Sequence, residues 1–246
     1  MKYIYLIISL IISQYTFSQT QGKFDKKDNV TRIENKNETD ERLGYTGTTS
    51  SEAFEYYNKA TSLDQKNPAL SIDYYLKAIK ADPYFVEAYD NLGRLYRYTQ
   101  QYELAIKYLK ESIKLFPDGP TAHMNLANVY NTLEQYKDAI KEYNILIKLQ
   151  PEYAEGYYGL SWMLLSTATD NNDLENALEN AEKALELYKR DPPNFIGDSY
   201  FQIGYIYHYL GNTIKSKEYF NIAKERYLDN NMQESWYDKL EIINRL

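Results

Sequence analysis

The chain has 246 residues, of which 43% are hydrophobic and 26% are charged, so it has the composition of a globular protein long enough to bury a core. It contains no cysteine, which excludes disulfides, thiolate catalysis, cysteine-bound zinc and a lipid anchor on cysteine. The formal net charge is −7, and the excess of acid lies in residues 51–246, which argues against a partner made of nucleic acid or anionic lipid.

Residues 1–18 have the features of a secretory signal peptide. Lys2 precedes an apolar run over residues 3–12, and the segment ends in the small residue Ser18. The run has about half of the ~20 apolar residues that a membrane-spanning helix needs. We therefore expect cleavage before Gln19 and export to the periplasm or the medium, without stable membrane insertion. An uncleaved anchor is the alternative.

Residues 19–50 are polar and charge-balanced, with few large apolar side chains. Such a segment cannot bury enough apolar surface to offset the entropy lost on ordering. The composition therefore predicts a disordered linker between the signal peptide and the rest of the chain.

From residue 51 onwards the sequence repeats itself with a step of 34 residues. The recurring positions are Pro83, Pro117 and Pro151; Leu92, Leu126 and Leu160; Tyr96 and Tyr130; Tyr102 and Tyr136; and Ala105 and Ala139. Apolar positions three and four residues apart fall on one face of a helix. Agreement at several independent positions makes the repeat a strong signal.

Within one period the pattern reads Tyr89-x-x-Leu92-Gly93-x-x-Tyr96, then Ala105-x-x-x-Leu109, then Pro117. This pattern resembles the tetratricopeptide repeat (TPR) family. The resemblance implies an all-α, right-handed α-solenoid of about five helix–turn–helix repeats. Gly93 is expected to let the two helices of its hairpin approach closely, and Pro117 cannot continue the helix before it.

The predicted solenoid covers residues 51–230. Its repeats are expected at about 52–85, 86–119, 120–153, 154–195 and 197–230. The fourth carries an insertion, because the alanine pattern of its second helix restarts at Ala177, about four residues late. Terminal repeats are commonly atypical, and the first lacks a Leu-Gly pair.

Residues 231–246 predict a capping helix over the open end of the stack. Trp236, Leu240 and Ile243 recur at helical spacing, and they alternate with charged residues such as Lys239 and Glu241. We expect the charged residues of this amphipathic helix to face solvent.

In TPR folds the first helix of each repeat lines a concave groove, and the resemblance carries this role to the chain. The groove-facing residues are charged in repeat two, where they include Glu87 and Asp90, amide-rich in repeat three and aromatic in repeats four and five. The predicted partner-binding residues are Arg94, Arg97, Asn128, Asn131, Tyr158, Trp162, Phe201, Tyr205 and His208. Helix packing is the alternative for the amides and tyrosines. The lysines with which some members of the family hold chaperone tails are absent.

The sequence predicts no catalytic, cofactor or metal site. His123 and His208 lie in different repeats, and His123 occupies an aromatic position of the pattern, which indicates a packed side chain. No phosphate-binding loop, nucleophile elbow or metal-binding helix motif is present. Residues 169–173 have the composition of a calcium loop without its ligand spacing, so we expect a polar turn in which Asp173 caps the next helix.

Together these features predict a non-enzymatic scaffold or adaptor in the cell envelope that binds a protein or peptide. The alternatives are a structural or assembly subunit of an envelope or secretion complex and, third, a glycan-binding protein or an enzyme. No motif identifies the partner or the oligomeric state.

Overall fold

The computed structural model describes Tyr45 and residues 47–190, 196–229 and 235–245. The predicted signal peptide, its cleavage site and most of the predicted linker lie outside these residues. Every regular element in the described ranges is an α-helix, and the helices follow one another as five helix–turn–helix pairs and one final helix. The predicted all-α class is confirmed.

The chain divides into two compact units, the first ending at Val129 and the second starting at Tyr130. The helices of the first unit are α1 (Ser51–Thr61), α2 (Pro68–Ala81), α3 (Val86–Tyr98), α4 (Tyr102–Leu115) and most of α5 (Pro120–Thr132). Those of the second are α6 (Tyr136–Leu149), α7 (Ala154–Thr167), α8 (Asn171–Tyr188), α9 (Ile196–Tyr209), α10 (Thr213–Asp229) and α11 (Ser235–Arg245).

Glycine allows the helices of a hairpin to come close. A Cβ atom added to Gly93 in α3 would lie 2.5 Å from Cγ of Leu109 in α4, well inside the closest separation of two carbon atoms. The equivalent Gly204 in α9 faces Phe220 of α10, whose Cδ1 would be 2.8 Å from an added Cβ. The predicted role of Gly93 is confirmed, and Gly204 repeats it in the second unit.

Several helices begin at a residue whose side chain accepts a backbone hydrogen bond. Ser50 accepts from the amide of Ala53 at 3.2 Å, and Asn67 accepts from the amide of Leu70 at 3.2 Å. At the start of α8 the cap is Asp170, which accepts from the amide of Asp173 at 3.0 Å. The predicted cap at Asp173 is therefore wrong by one helical turn, although its carboxylate does bind back to the amide of Thr169 at 2.8 Å.

The turn inside a hairpin uses a left-handed residue at the same place in three repeats. Gln100, Glu134 and Gly211 have φ angles of 61°, 57° and 73°. The following residue closes the turn in each case, as the amide of Gln101 donates to the carbonyl of Tyr96 at 2.8 Å. This is the Schellman arrangement, in which glycine is favoured because other residues are strained at positive φ.

We expect Gln100→Gly to raise the free energy of unfolding by about 0.5–1 kcal/mol, because glycine relieves the left-handed strain at a small cost in chain entropy. Urea unfolding followed by circular dichroism measures the change. Gln100→Ala keeps the strain and serves as the comparison. Glu103, an exposed position in α4, is the control. There the glycine variant should be less stable than the alanine variant, because glycine is the poorer helix former. Equal stability of the glycine and alanine variants at position 100 would contradict the proposed strain.

Many of the 28 tyrosines form ring pairs between the two helices of a hairpin. Tyr96 of α3 stacks on Tyr108 of α4 with centroids 5.4 Å apart, and Tyr207 of α9 lies 5.6 Å from Tyr219 of α10. A lysine often covers the outer ring, as Lys107 covers Tyr108 at 5.2 Å. The tyrosine content therefore has a structural explanation in part of the chain.

The last helix is held by a buried ion pair. Lys239 of α11 is 5% exposed, and its Nζ lies 2.5 Å from Oδ1 of Asp198 in α9. The hydroxyl of Tyr227 in α10 donates to the same Asp198 oxygen at 2.8 Å. The expectation that Lys239 faces solvent is wrong, because it points inward to the one carboxylate of α9.

Candidate functional site

The candidate site lies at the start of α3 in the first unit. The family resemblance predicts that Glu87, Asp90, Arg94 and Arg97 share the partner-facing side of this helix. In the structure Glu87 and Arg94 are partly exposed, whereas Asp90 and Arg97 are 3% and 9% exposed. Two of the four charged residues predicted to face a partner are therefore partly exposed, and the other two are buried.

A segment of the chain without regular secondary structure lies across this side of α3. We call it the docked segment, and it consists of Tyr45, Gly47 and Thr48. The hydroxyl of Tyr45 donates to Oδ2 of Asp90 at 2.6 Å, and the amide of Gly47 donates to Oε1 of Glu87 at 3.0 Å. Disorder was predicted up to residue 50, and for the docked segment that prediction is wrong, since specific acceptors on α3 hold it.

Two further contacts anchor the docked segment at its ends. The ring of Tyr45 meets Phe116 edge to face, with centroids 5.4 Å apart. The hydroxyl of Thr48 forms a hydrogen bond with the carboxylate of Asp82, just before α3. The docked segment is therefore held by an aromatic contact and by hydrogen bonds to the carboxylates of three residues.

Asp90 is the buried centre of the site. One of its oxygens accepts from the Tyr45 hydroxyl, and the other accepts from Oγ of Ser112 at 2.5 Å. Burial raises the pKa of Asp90 to about 6, although the two hydroxyl donors and the nearby His123 lower it in part. Burial and the charge of Asp90 in turn raise the pKa of the Tyr45 phenol, so it remains a donor at neutral pH.

Asp90 should make stability depend on pH. Because its folded pKa is about 6 and its unfolded value is about 4, the folded state keeps a proton that the unfolded state releases between these pH values. Stability from this group is therefore present below pH 4 and is lost as pH rises through 6. The unfolding free energy of Asp90→Asn minus that of the wild type should increase by about 2 kcal/mol from pH 4 to pH 7, because only the wild type loses the contribution of Asp90. A difference that does not change with pH would contradict the raised pKa.

Arg94 is engaged inside the first unit. Its guanidinium pairs with the carboxylate of Asp64, and the two side chains are 16% and 4% exposed. Asp64 also accepts from Oγ of Ser71 at 2.5 Å and from the hydroxyl of Tyr75 at 3.3 Å. This arginine ties α3 to the preceding hairpin, which is a structural role that the sequence analysis missed.

The predicted amides differ in exposure. Asn128, in the first unit, is partly exposed, whereas Asn131, in the second, is 5% exposed. Asn128 therefore offers some surface to a partner, and Asn131 offers little. Their contact with a partner stays a prediction.

In the second unit the predicted aromatic contacts are buried. Tyr158, Trp162, Phe201 and Tyr205 are 0%, 2%, 0% and 2% exposed. Trp162 of α7 lies 6.0 Å from Tyr205 of α9, and Tyr205 stacks on Phe201 at 5.8 Å. These side chains pack within the unit and do not present an open aromatic surface, so their role in binding stays a prediction.

A signal for this burial was present in the sequence. Residues 154–167 read AEGYYGLSWMLLST, and residues 196–209 read IGDSYFQIGYIYHY, so both helices are apolar or small on nearly every side. A helix of that kind is buried. Of the predicted residues in this unit, His208 is exposed, and its ring meets Tyr209 edge to face at 5.5 Å.

His123 packs as predicted. It is 4% exposed, and its Nε2 donates to the carbonyl of Pro117 at 2.9 Å. In the preceding repeat the hydroxyl of Tyr89 donates to the carbonyl of Pro83 at 3.2 Å. His123 therefore makes the hydrogen bond that Tyr89 makes one repeat earlier, which explains how a histidine can occupy this aromatic position of the repeat.

The described part of the chain holds no group of three or more histidine, aspartate and glutamate side chains that would suit a metal ion. Within the same ranges, no helix combines the length and the apolar character needed to cross a bilayer. The chemistry of the candidate site is hydrogen bonding by carboxylates to backbone amides and hydroxyl groups.

Solved structures with the same fold include two named proteins. MamA from Desulfovibrio magneticus RS-1 has a TM-score of 0.65 at 18% identity, covering 75% of this chain and 99% of that one. A second MamA structure has a TM-score of 0.60 at 26% identity, covering 70% and 94%. YrrB, described as a TPR protein with an unusual peptide-binding site, has a TM-score of 0.59 at 22% identity, covering 79% and 92%.

No curated protein sequence matches the chain significantly. Family models described as tetratricopeptide repeat match residues 74–107, 91–154, 127–194 and 197–230. These matches span more than half of the chain, and they agree with the helical hairpins and the 34-residue step. The chain therefore belongs to the tetratricopeptide repeat family.

Proposed function

We propose that this protein is a non-enzymatic scaffold that binds a peptide or a peptide-like segment of a partner protein. The observation that carries the proposal is the docked segment. Its backbone amide at Gly47 and its hydroxyl at Tyr45 bind Glu87 and Asp90, two residues that the family resemblance assigns to the partner-facing side of α3. A surface that holds one irregular segment through side-chain carboxylates has the acceptor groups needed to hold another.

The fold supports the same class of function. YrrB, which shares this fold, is described as having a peptide-binding site. The first helices carry exposed or partly exposed polar residues in both units, among them Glu87, Asn128 and His208. Such side chains give direction and specificity to a contact with a polar backbone.

We further propose that the protein acts outside the cytoplasm, in the cell envelope. The support is the sequence of residues 1–18, with one cation, a short apolar run and a small residue at the end. N-terminal sequencing of the protein from cell envelopes tests this, with Gln19 expected as the first residue. An intact Met1 would favour a retained anchor.

Binding can be tested with an array of synthetic peptides of varied sequence, probed with the purified full chain. We expect a subset of the peptides to bind. The effect of Glu87→Gln is measured in chains that also carry Gly47→Val, because Glu87 holds the docked segment too and a valine at the positive φ of Gly47 weakens that segment. In this background Glu87→Gln should reduce affinity at least tenfold, because a charge-assisted hydrogen bond becomes a neutral one. Glu179→Gln, at an exposed position of α8, is the matched control and should leave affinity in the same background unchanged. If no peptide binds, or if Glu87→Gln changes nothing for any of them, the proposed surface is wrong.

A further inference from the structure

We propose that the docked segment is an internal ligand that competes with the partner for α3, and that the partner places a tyrosine where Tyr45 now lies. This inference rests on the proposed peptide-binding function and adds its regulation and its preferred residue. The surface is therefore closed to a partner until the chain's own segment leaves.

The position of the segment supports competition. Tyr45, Gly47 and Thr48 bind Asp90, Glu87 and Asp82, so three anchors fall within four residues. Two of the three acceptors are residues that the family resemblance places on the partner-facing side. A partner that uses those carboxylates cannot do so while the segment occupies them.

The groups around Tyr45 select a tyrosine. Its ring needs an apolar neighbour, which Phe116 supplies at 5.4 Å between centroids. Its hydroxyl needs an acceptor, which Asp90 supplies at 2.6 Å. Phenylalanine lacks the donor and would leave a buried carboxylate with one hydrogen bond fewer. A phosphotyrosine would bring negative charge against Asp90 and the nearby Glu87, so it should be rejected.

The segment can leave without breaking the fold. It precedes α1, and the cap of that helix is local, since Ser50 accepts from the amide of Ala53. Gly47 has a φ of 68°, and no atom lies within 4 Å of a Cβ added there. A side chain at Gly47 would therefore strain the docked conformation and touch nothing else, which provides a specific way to weaken docking.

The probe for this proposal is a fluorescent synthetic peptide with the sequence of residues 42–51, measured by polarisation against the full chain. Wild-type protein should bind it weakly, because the internal copy is tethered and at high effective concentration. Gly47→Val should bind it about 5- to 30-fold more tightly, from the strain of a β-branched residue at positive φ. Tyr45→Phe should also bind it at least about fivefold more tightly, since the internal segment loses a hydrogen bond to a carboxylate.

Two altered probes test the tyrosine. A probe with phenylalanine in place of its tyrosine should bind Gly47→Val at least about fivefold more weakly than the original, and a phosphotyrosine probe should bind more weakly still. Circular dichroism and urea unfolding establish that each variant is folded. In the wild-type chain, the NMR amide signal of Gly47 should lose protection from exchange as probe is added.

The outcomes separate this proposal from the function on which it rests. Equal probe affinity for the wild type, Gly47→Val and Tyr45→Phe would overturn the competition. A phenylalanine probe that binds as well as the original would overturn the tyrosine preference. If array peptides bind the chain without displacing Gly47 and the probe binds no variant, the internal-ligand proposal fails while the peptide-binding function stands.

Discussion

Asp198→Asn should lower the free energy of unfolding of the second unit by about 3 kcal/mol. The change leaves the ammonium group of Lys239, which is 5% exposed, opposite a neutral amide. Removing one partner of a buried ion pair is costly because the remaining charge stays out of water without compensation. The alternative response is that Lys239 moves into solvent, which requires α11 to leave its place against α10. The loss of stability then appears as local opening of α11.

Urea unfolding and hydrogen exchange resolved along the chain distinguish these two responses. The double variant Asp198→Asn, Lys239→Met should recover part of the loss, since no buried charge remains. Arg245→Met is the matched control on the same helix, because the Arg245–Glu241 pair is 74% and 60% exposed and should matter little. If Asp198→Asn unfolds at the wild-type urea concentration with no faster exchange in α11, the ion pair does not hold the last helix.

Gly93→Ala should destabilise the first unit by about 1–3 kcal/mol, although alanine is the better helix former. The new methyl carbon would lie 2.5 Å from Cγ and 2.7 Å from Cδ2 of Leu109, which is fully buried. Either the leucine leaves its favoured rotamer or α3 and α4 move apart. Urea unfolding of the single variant measures the cost.

The Leu109→Ala background provides the control, because it removes the atoms that the methyl group would meet. Leu109→Ala alone should cost about 2–5 kcal/mol, as a large buried side chain is lost. In that background Gly93→Ala should become neutral or stabilising by up to about 1 kcal/mol, since only its helix propensity remains. If Gly93→Ala is equally destabilising in both backgrounds, steric contact with Leu109 is not the cause.

The sequence predicted the helical hairpins because the 34-residue step repeats local features. Gly93 marks close helix packing, and Pro117 stands between helices, as the pattern requires. His123 follows from the same logic, since it stands in an aromatic position and makes the hydrogen bond that Tyr89 makes one repeat earlier. Properties set by neighbours along the chain were therefore accessible without the structure.

Contacts between residues that lie far apart in the sequence could not be predicted from it. Helical spacing placed Lys239 on the polar side of α11, and it gave no hint of Asp198, 41 residues earlier. In the same way, the composition of the linker indicated disorder and did not reveal that Tyr45 has an acceptor 45 residues later. Such contacts depend on which surfaces meet, and a single sequence does not report that.

Exposure of the predicted binding residues was also beyond the pattern. The TPR resemblance assigned Trp162 and Tyr205 to the partner-facing side of their helices, and the structure buries both. A repeat pattern specifies the direction of a side chain from its helix axis, whereas burial depends on how much of the chain packs around it. The apolar sequences of α7 and α9 carried that information, and the assignment from the resemblance did not use it.

The burial of Trp162 has a consequence for spectroscopy. The chain has two tryptophans, Trp162 and Trp236, and both lie beyond residue 129, so the first unit contains none. Trp162 has Tyr158 and Tyr205 at 6.2 and 6.0 Å, close enough to collect their excitation energy. Indole emission therefore reports on the second unit alone. Unfolding of that unit can be followed by tryptophan fluorescence without an added label.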